Sequence, residues 1–307
     1  MGAVWALAGL CVILAIFSPR TDSGSVFLSV QNVTNVLTQV TVTAVLAAGM
    51  SFVIISGGID LSVGSLLALS GALAAGSMKS GLHPVLAMAV GLLAGASLGA
   101  VNGLLTSHLR LPPFISTLGM MGIARGLTYV YLGGAPIFTF PDSFRYLAEG
   151  RLLGVPMPIF LMLAVYAVCH IVLKRTAFGR YVYAMGGNEE AARLAGVSVK
   201  WMKVAVYSLC GLACGLAGLI MSARLDSAEP QAADGYELDA IAAVVMGGAS
   251  LSGGVGTIPG SLIGALIMAV VRNGLNLLNV SSYWQKVAIG SIILLAVLVD
   301  SLRRRDR

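Results

Sequence analysis

Charged residues are scarce in this sequence: Asp, Glu, Lys and Arg together make up 10% of its 307 residues. A water-soluble chain usually carries about 25%. Hydrophobic residues account for 57%, and the mean hydropathy is +0.91. The formal net charge of +6 comes from basic residues in short connections and at the C terminus, not from a basic face that could bind nucleic acid. This composition excludes a soluble globular protein and indicates a membrane protein.

Residues that build catalytic or metal sites are also few. The sequence has three His and four Cys, and it contains no G-x-x-x-x-G-K-[ST] phosphate loop, serine-hydrolase elbow or HExxH motif. We therefore expect no catalytic residue, no metal site and no cofactor bound by this chain, and any ATP must be bound by a separate subunit. The cysteines lie in apolar runs without metal or redox spacing, and we interpret them as small packing residues: Cys11, Cys169, Cys210 and Cys214.

Long apolar runs fill most of the chain. Since a membrane-spanning helix needs about 20 apolar residues, the pattern predicts an all-α membrane protein, a polytopic bundle of about ten transmembrane helices in one domain, 1–307. The eighth run is rich in glycine, so a half-helix or re-entrant element is the alternative there. The first lacks a basic leader and a cleavage site, so we expect a retained span. The runs are 3–17, 33–55, 62–79, 84–107, 114–133, 157–174, 203–222, 238–252, 256–277 and 283–300.

The distribution of basic residues predicts orientation. Short basic loops stay on the cytoplasmic side, so we expect the 175–200 loop and both termini to be cytoplasmic, in the inner membrane. The connections 134–156 and 223–238 then face the periplasm. The basic residues are Lys174, Arg175, Arg180, Arg193, Lys200 and Lys203 around the loop, and Arg303, Arg304, Arg305 and Arg307 at the C terminus.

Glycines recur every fourth residue in several predicted spans. This spacing lets neighbouring helix backbones approach closely in lipid, where van der Waals packing is a main source of cohesion. We expect these glycines to be structural and a bulky residue at Gly95 to impair folding before transport. The stripes are Gly91, Gly95, Gly99 and Gly103, then Gly211 and Gly215, and Gly260 and Gly264.

One short pattern occurs twice, at 57–64 (GGIDLSVG) and 247–254 (GGASLSGG), each time between two apolar runs. Broken helices at corresponding positions of a transporter point to the substrate path. Asp60 is the one acid clearly embedded between long apolar runs. It either lines or gates this path or caps the third span as its N-cap. The candidate path or gate residues are Gly57, Gly58, Asp60, Ser62, Gly247, Gly248, Ser250 and Ser252.

Other ionisable residues inside the apolar runs are rare. An ion-coupled carrier would need several carboxylates or histidines there to relay charge, and this chain has few. We expect the remaining cations, Arg125, Arg272 and Lys286, to extend towards the membrane surface by snorkelling.

Four segments carry a family resemblance. Residues 49–65 (GMSFVIISGGIDLSVGS) resemble the signature of the ribose-type family of ABC sugar permeases. The segment 178–197 (FGRYVYAMGGNEEAARLAGV) is similar to the loop by which these permeases dock on their ATPase. The segments 235–245 and 273–278 are also similar to this family, and the resemblance covers about residues 30–300.

The resemblance implies a homodimer with two cytoplasmic ABC ATPase modules and a periplasmic sugar-binding protein, importing a monosaccharide such as ribose. The alternatives are a permease for another sugar or a furanosyl signalling molecule, a secondary ion-coupled carrier, or a membrane enzyme. For the 175–200 loop, coupling to the ATPase competes with a solvated loop that only fixes topology. The implied coupling residues are Gly186, Gly187, Asn188, Glu189, Glu190, Ala191 and Arg193, and Arg145, Arg151 and Arg224 are candidates for docking the binding protein.

Overall fold

The computed structural model describes residues 2–21 and 24–305. Arg307 of the predicted basic C terminus lies outside these residues. The fold is helical, and the prediction of an all-α protein is confirmed. The helices are α1 (Gly2–Phe17), α2 (Val30–Ile55), α3 (Val63–Lys79), α4 (Pro84–Ser107), α5 (Pro113–Leu132), α6 (Asp142–Glu149), α7 (Met157–Arg175), α8 (Ala177–Gly187), α9 (Glu189–Leu194), α10 (Val199–Leu225), α11 (Tyr236–Met246), α12 (Ile258–Leu277) and α13 (Ser282–Arg305), with a 3₁₀ turn at Val26–Leu28.

Within the described residues, five helices are long and apolar enough to cross a membrane: α2, α4, α7, α10 and α12. Two shorter apolar helices, α1 and α3, accompany them. The eighth predicted span contains α11, whose 11 residues rise only about 16 Å, well short of the roughly 30 Å of a hydrocarbon core. A helix of this length does not cross a bilayer by itself, which agrees with the half-helix alternative.

Helix α2 is the centre of the bundle. Its side chains from Val40 to Ile55 are buried, and α7, α10, α11 and α12 surround it. Tyr166 of α7 donates a hydrogen bond to the carbonyl oxygen of Ala44 across 2.9 Å. A lipid-facing helix would expose one apolar face, so an apolar helix buried on all sides identifies the core of a membrane bundle.

The glycine stripe of α4 packs on the stripe of α10, which confirms the predicted close approach of helix backbones. A β-carbon on Gly95 would overlap the carbonyl oxygen of Gly211, and one on Gly99 would overlap that of Tyr207. The pair Gly260 and Gly264 brings α12 equally close to α11, against the backbone of Gly247 and Ala243. Three of the four cysteines, Cys169, Cys210 and Cys214, are buried in the same core.

The two connections predicted to face the periplasm lie on the same side of the bundle. Strand β3 (Ile137–Phe138) of the first pairs antiparallel with β6 (Ser227–Ala228) of the second. The first connection also folds into α6, which the apolar pattern did not predict. Phe144 of α6 is fully buried against α3, α4 and α10. The remaining strands form two small hairpins: β1 (Arg20–Thr21) with β2 (Gly24–Ser25), and β4 (Arg151–Leu152) with β5 (Val155–Pro156).

Arg125 and Arg272 both have partners within the protein, and their extension towards the membrane surface stays a prediction. Arg125 donates from one guanidinium nitrogen to the carbonyl oxygens of Pro230 and Ala232, both at 2.8 Å. Arg272 forms an ion pair of 2.9 Å with Asp239, whose residue surface is 5% exposed. Both cations are partly buried, and backbone oxygens and a carboxylate accept hydrogen bonds from them. Lys286 is exposed.

Candidate functional site: a glycine junction and a polar cavity

Both copies of the repeated glycine pattern end a helix in the same way. At the end of α2, the amide of Gly57 donates to Ile54 and that of Gly58 to Val53. This is the Schellman arrangement, and Gly57 takes the left-handed backbone conformation that it requires (φ 84°). After α11, Gly248 (φ 92°) donates to Val245 and Ala249 to Val244.

Aligning the two copies by their turn geometry differs by one residue from aligning them by sequence. The sequence pattern aligns Gly57 with Gly247, whereas the left-handed residue after each helix is Gly57 in the first copy and Gly248 in the second. Asp60 therefore corresponds in turn position to Leu251 and not to Ser250. Only the first copy carries an acid, so the two breaks share their backbone but not their side-chain chemistry.

The two breaks meet at a cluster of glycines that also includes the predicted coupling segment. The amide of Gly254 donates to the carbonyl oxygen of Ile55, the last residue of α2, across 2.8 Å. A β-carbon on Gly253 would lie 2.9 Å from the α-carbons of both Gly57 and Gly186. We call Gly57, Gly186, Gly253 and Gly254 the glycine junction. Because backbones touch here without intervening side chains, a displacement of one segment presses directly on the others.

The predicted coupling segment forms two short helices, α8 and α9. Helix α9 has an acidic first turn, and Asn188 is its N-cap, accepting from the amide of Ala191 at 2.9 Å. Glu189 pairs with Lys203 of α10 at 2.7 Å. Glu190 pairs with Arg193, and the hydrogen bonds from that guanidinium lower the pKa of Glu190. The segment is thus a defined two-helix element.

This two-helix element is tied to the junction and keeps a face exposed. Tyr183 of α8 donates to the carbonyl oxygen of Gly256 across 2.7 Å, and the ring of Phe178 contacts that of Phe52 in α2 at 6.0 Å between centroids. In contrast, Leu194 is 75% exposed beside the ion pairs of α9. Five of the six residues of α9 are exposed, so this side of the element is open to solvent.

Asp60 is buried at the start of α3 and organises the turn around it. One carboxylate oxygen accepts from the amide of Ser62 at 2.8 Å and from its hydroxyl at 2.6 Å. The hydroxyl of Ser62 also accepts from the side-chain amide of Asn102 in α4 at 2.9 Å. Ser62, not Asp60, occupies the N-cap position of α3. The prediction that Asp60 is the N-cap is therefore wrong.

The neighbouring backbone is held by two further helices. The amide of Leu61 donates to Thr117 of α5 at 3.2 Å, and Tyr207 of α10 donates to the carbonyl oxygen of Ile59 at 3.4 Å. The second carboxylate oxygen of Asp60 and the side-chain oxygen of Asn102 are buried and accept no hydrogen bond from the described residues. The segment 59–62 therefore connects the first break to α4, α5 and α10.

A polar cavity of about 670 Å³ lies between α2, α6, α10, α11 and α12. One wall is the polar face of α2, which includes Asn35 and Gln39, and the opposite wall holds Asp239 and Arg272. None of the eight residues predicted for the path or gate is among the described residues lining it. Two of the eight, Asp60 and Ser62, are fully buried. The cavity and the glycine junction thus lie at different positions along α2.

The three arginines predicted to dock a binding protein have different surroundings. Arg145 pairs within its own helix, with Glu149 at 2.8 Å and Asp142 at 3.6 Å. Arg151 and Arg224 both line the polar cavity. One guanidinium nitrogen of Arg224 is buried and has no hydrogen-bond partner in the described part of the chain.

Sequence reasoning missed the cavity and its ion pair. The α2 wall had a readable signal, because polar residues at 35, 39 and 43 recur every fourth position and so share one helix face. No sequence signal indicates the pair of Asp239 and Arg272, since the two residues are 33 positions apart and meet only when α11 packs against α12.

Comparison with known proteins agrees with the expected class. Residues 32–298 match the family described as branched-chain amino acid transport system / permease component. The chain belongs to this family of transport permeases. It is 49% identical to the ribose import permease protein of Escherichia coli K12 over 97% of this chain and 93% of that protein. Identity to the Bacillus subtilis ribose import permease protein is also 49%, covering 98% and 92%.

A third relative is a permease for another sugar. The D-allose transport system permease protein of Escherichia coli K12 is 40% identical over 95% of this chain and 90% of that protein. No solved structure gives a significant match. The resemblance carried by 49–65 and 178–197 is thereby confirmed, and the apolar helices agree with a multi-pass membrane permease.

Proposed function

We propose that this chain is the membrane-spanning permease subunit of an ABC importer that moves ribose into the cytoplasm. The observation that carries the proposal is the 49% identity to ribose import permeases over nearly the whole chain, compared with 40% for the D-allose permease. A separate ATPase subunit binds ATP and magnesium, and a periplasmic sugar-binding protein delivers the sugar.

The coupling role of α8 and α9 is supported by their contacts. The exposed face that contains Leu194 and the ion pair of Glu190 with Arg193 offers a docking surface, while Gly186 touches both helix breaks. ATP-driven closure of the ATPase displaces this element, and the glycine junction passes the displacement to the ends of α2 and α11. These helices also form walls of the polar cavity, so the cavity changes shape.

The orientation follows from the same assignment. The coupling element faces the cytoplasm, and the paired connections with β3 and β6 face the periplasm, with both termini inside. The polar cavity, bordered by α6 and Arg151 from the first of these connections, then opens towards the binding protein. A second copy of the chain completes the path along a dimer axis.

Stimulated ATP hydrolysis by the purified complex tests this function. The permease, its ATPase and its binding protein are combined, and hydrolysis is measured with the binding protein loaded with ribose, allose, xylose or no sugar. We expect ribose-loaded binding protein to stimulate hydrolysis most. Strongest stimulation by another sugar would contradict the ribose assignment, and no stimulation by any sugar would contradict the importer assignment.

A further inference from the structure

Two side-chain amides on the α2 wall of the polar cavity form no hydrogen bond with other described residues. The side chains of Asn35 and Gln39 are exposed and line the cavity, and neither makes a side-chain hydrogen bond to another described residue. They are one helical turn apart, about 6 Å along the axis. Amide groups left unsatisfied by the protein are costly at membrane depth and usually face a ligand or a water-filled space.

The opposite wall presents charge that is already balanced. Asp239 is 5% exposed and paired with Arg272, whose side chain keeps 37% of its surface accessible. A guanidinium has five N–H donors, so Arg272 can hold the carboxylate and still donate into the cavity. Tyr236 adds an aromatic ring to this wall. The two walls together offer donors, acceptors and a ring face, which is what the hydroxyls and apolar face of a sugar ring require.

We propose that the polar cavity is a recognition site for one neutral monosaccharide, with Asn35 and Gln39 on one side and the Arg272–Asp239 pair on the other. The permease then selects its sugar in addition to the selection made by the external protein. The size fits, since small-molecule sites enclose about 300–1,000 Å³ and this cavity encloses about 670 Å³. This inference rests on the proposed function and assigns its substrate to named residues.

Uptake by the full complex in vesicles tests the site. Gln39→Leu and Asn35→Leu remove polar groups while keeping similar volume, and each should lower ribose uptake at limiting sugar roughly tenfold, the effect of losing one or two hydrogen bonds. Gln39→Asn keeps the amide and should restore part of the rate. Gln31→Leu is the matched control, because Gln31 is exposed on the same helix but does not line the cavity.

A labelling experiment gives a readout that a structural defect would not reproduce. Cysteine is introduced at Thr38, which lines the cavity beside Gln39, or at Gln31 as the control, with Cys11→Ser removing the one native thiol that is not buried. In the purified complex, ribose should slow modification of the cysteine at 38 by a charged thiol reagent and leave that at 31 unaffected. Ribose 5-phosphate should protect less than ribose.

The outcomes distinguish failure of the proposed sugar site from failure of the proposed function. If the wild-type complex takes up ribose, two results would overturn the site alone. One is full uptake by Gln39→Leu and Asn35→Leu, and the other is a loss of uptake in Gln31→Leu as large as theirs. Equal labelling with and without ribose, or better protection by ribose 5-phosphate, would also overturn it. A wild-type complex that takes up no ribose would overturn the proposed function and the sugar class of the site with it.

Discussion

The amide of Gly254 donates to the carbonyl oxygen of Ile55 across 2.8 Å, and this bond joins the two broken-helix segments of the chain. Gly186 of α8 packs directly against it, since a β-carbon there would overlap the Ile55 carbonyl and lie 2.5 Å from the Gly254 nitrogen. The structural element proposed to receive motion from the ATPase thus touches the ends of both breaks. The predictions below follow from this arrangement and from the packing around it.

Gly186→Val should uncouple transport. Its side chain has no space between Ile55 and Gly254, so α8 must move away from the junction, and ribose uptake should fall at least tenfold while the ATPase still copurifies. Gly187→Ala is the comparison, because no atom lies within 4 Å of the β-carbon that it adds, and it should keep most of its uptake rate. Equal uptake by the two variants would show that close packing at Gly186 is not required.

Gly95→Val should reduce folding before it affects transport. The added side chain would meet the backbone of Gly211 and Gly215, and overpacking of this kind costs about 1–3 kcal/mol. The melting temperature and yield in detergent measure the effect. Gly122→Ala in α5 has open space around its β-carbon and gains helix propensity of about 1 kcal/mol, so this control should be at least as stable as wild type.

Asp60→Asn should keep the stability of the fold, whereas Asp60→Ala should lower it. The asparagine retains a side-chain oxygen that can accept from the amide and hydroxyl of Ser62, and alanine leaves both buried donors without that acceptor, which costs about 1–3 kcal/mol. Thermal unfolding of both purified variants measures the difference. Slow uptake by a stable Asp60→Asn protein would support a gating role for the charge, and full uptake would assign Asp60 to structure only.

The ion pair of Asp239 and Arg272 should show strong coupling in a double-mutant cycle. Arg272→Gln leaves a nearly buried carboxylate unpaired and should lower the free energy of unfolding by about 1–3 kcal/mol. Adding Asp239→Asn should recover much of that loss, because the uncompensated charge is gone. Additive losses in the double variant would contradict a direct interaction between the two side chains.

The positions of most helices could be predicted from sequence because apolar runs and helix-end residues are local signals. The predicted span 84–107 coincides with α4, which begins at Pro84, and α5 ends before Gly133, whose left-handed backbone (φ 63°) stops the helix. Helix α6 was missed because its polar sequence gives no apolar run. It forms because Phe144 finds a buried site made by distant helices.

Only part of the candidate site could be predicted from the sequence. The repeated glycine pattern correctly identified two helix breaks, and the family resemblance pointed to the segment that we propose for coupling. That the breaks meet each other and Gly186 depends on how α2, α8 and α12 pack, for which no local signal exists. The cavity likewise requires Asp239 and Arg272 to come together from separate helices. Tertiary packing, not local propensity, decides both features.

Labelled ribose uptake into vesicles tests the central claim most directly. The chain is reconstituted alone, with its ATPase, and with its ATPase and binding protein, each with and without ATP and with an ionophore that collapses ion gradients. We predict uptake only in the complete, ATP-supplied set, insensitive to the ionophore. Uptake by the chain alone that the ionophore abolishes would contradict the account and identify an ion-coupled carrier.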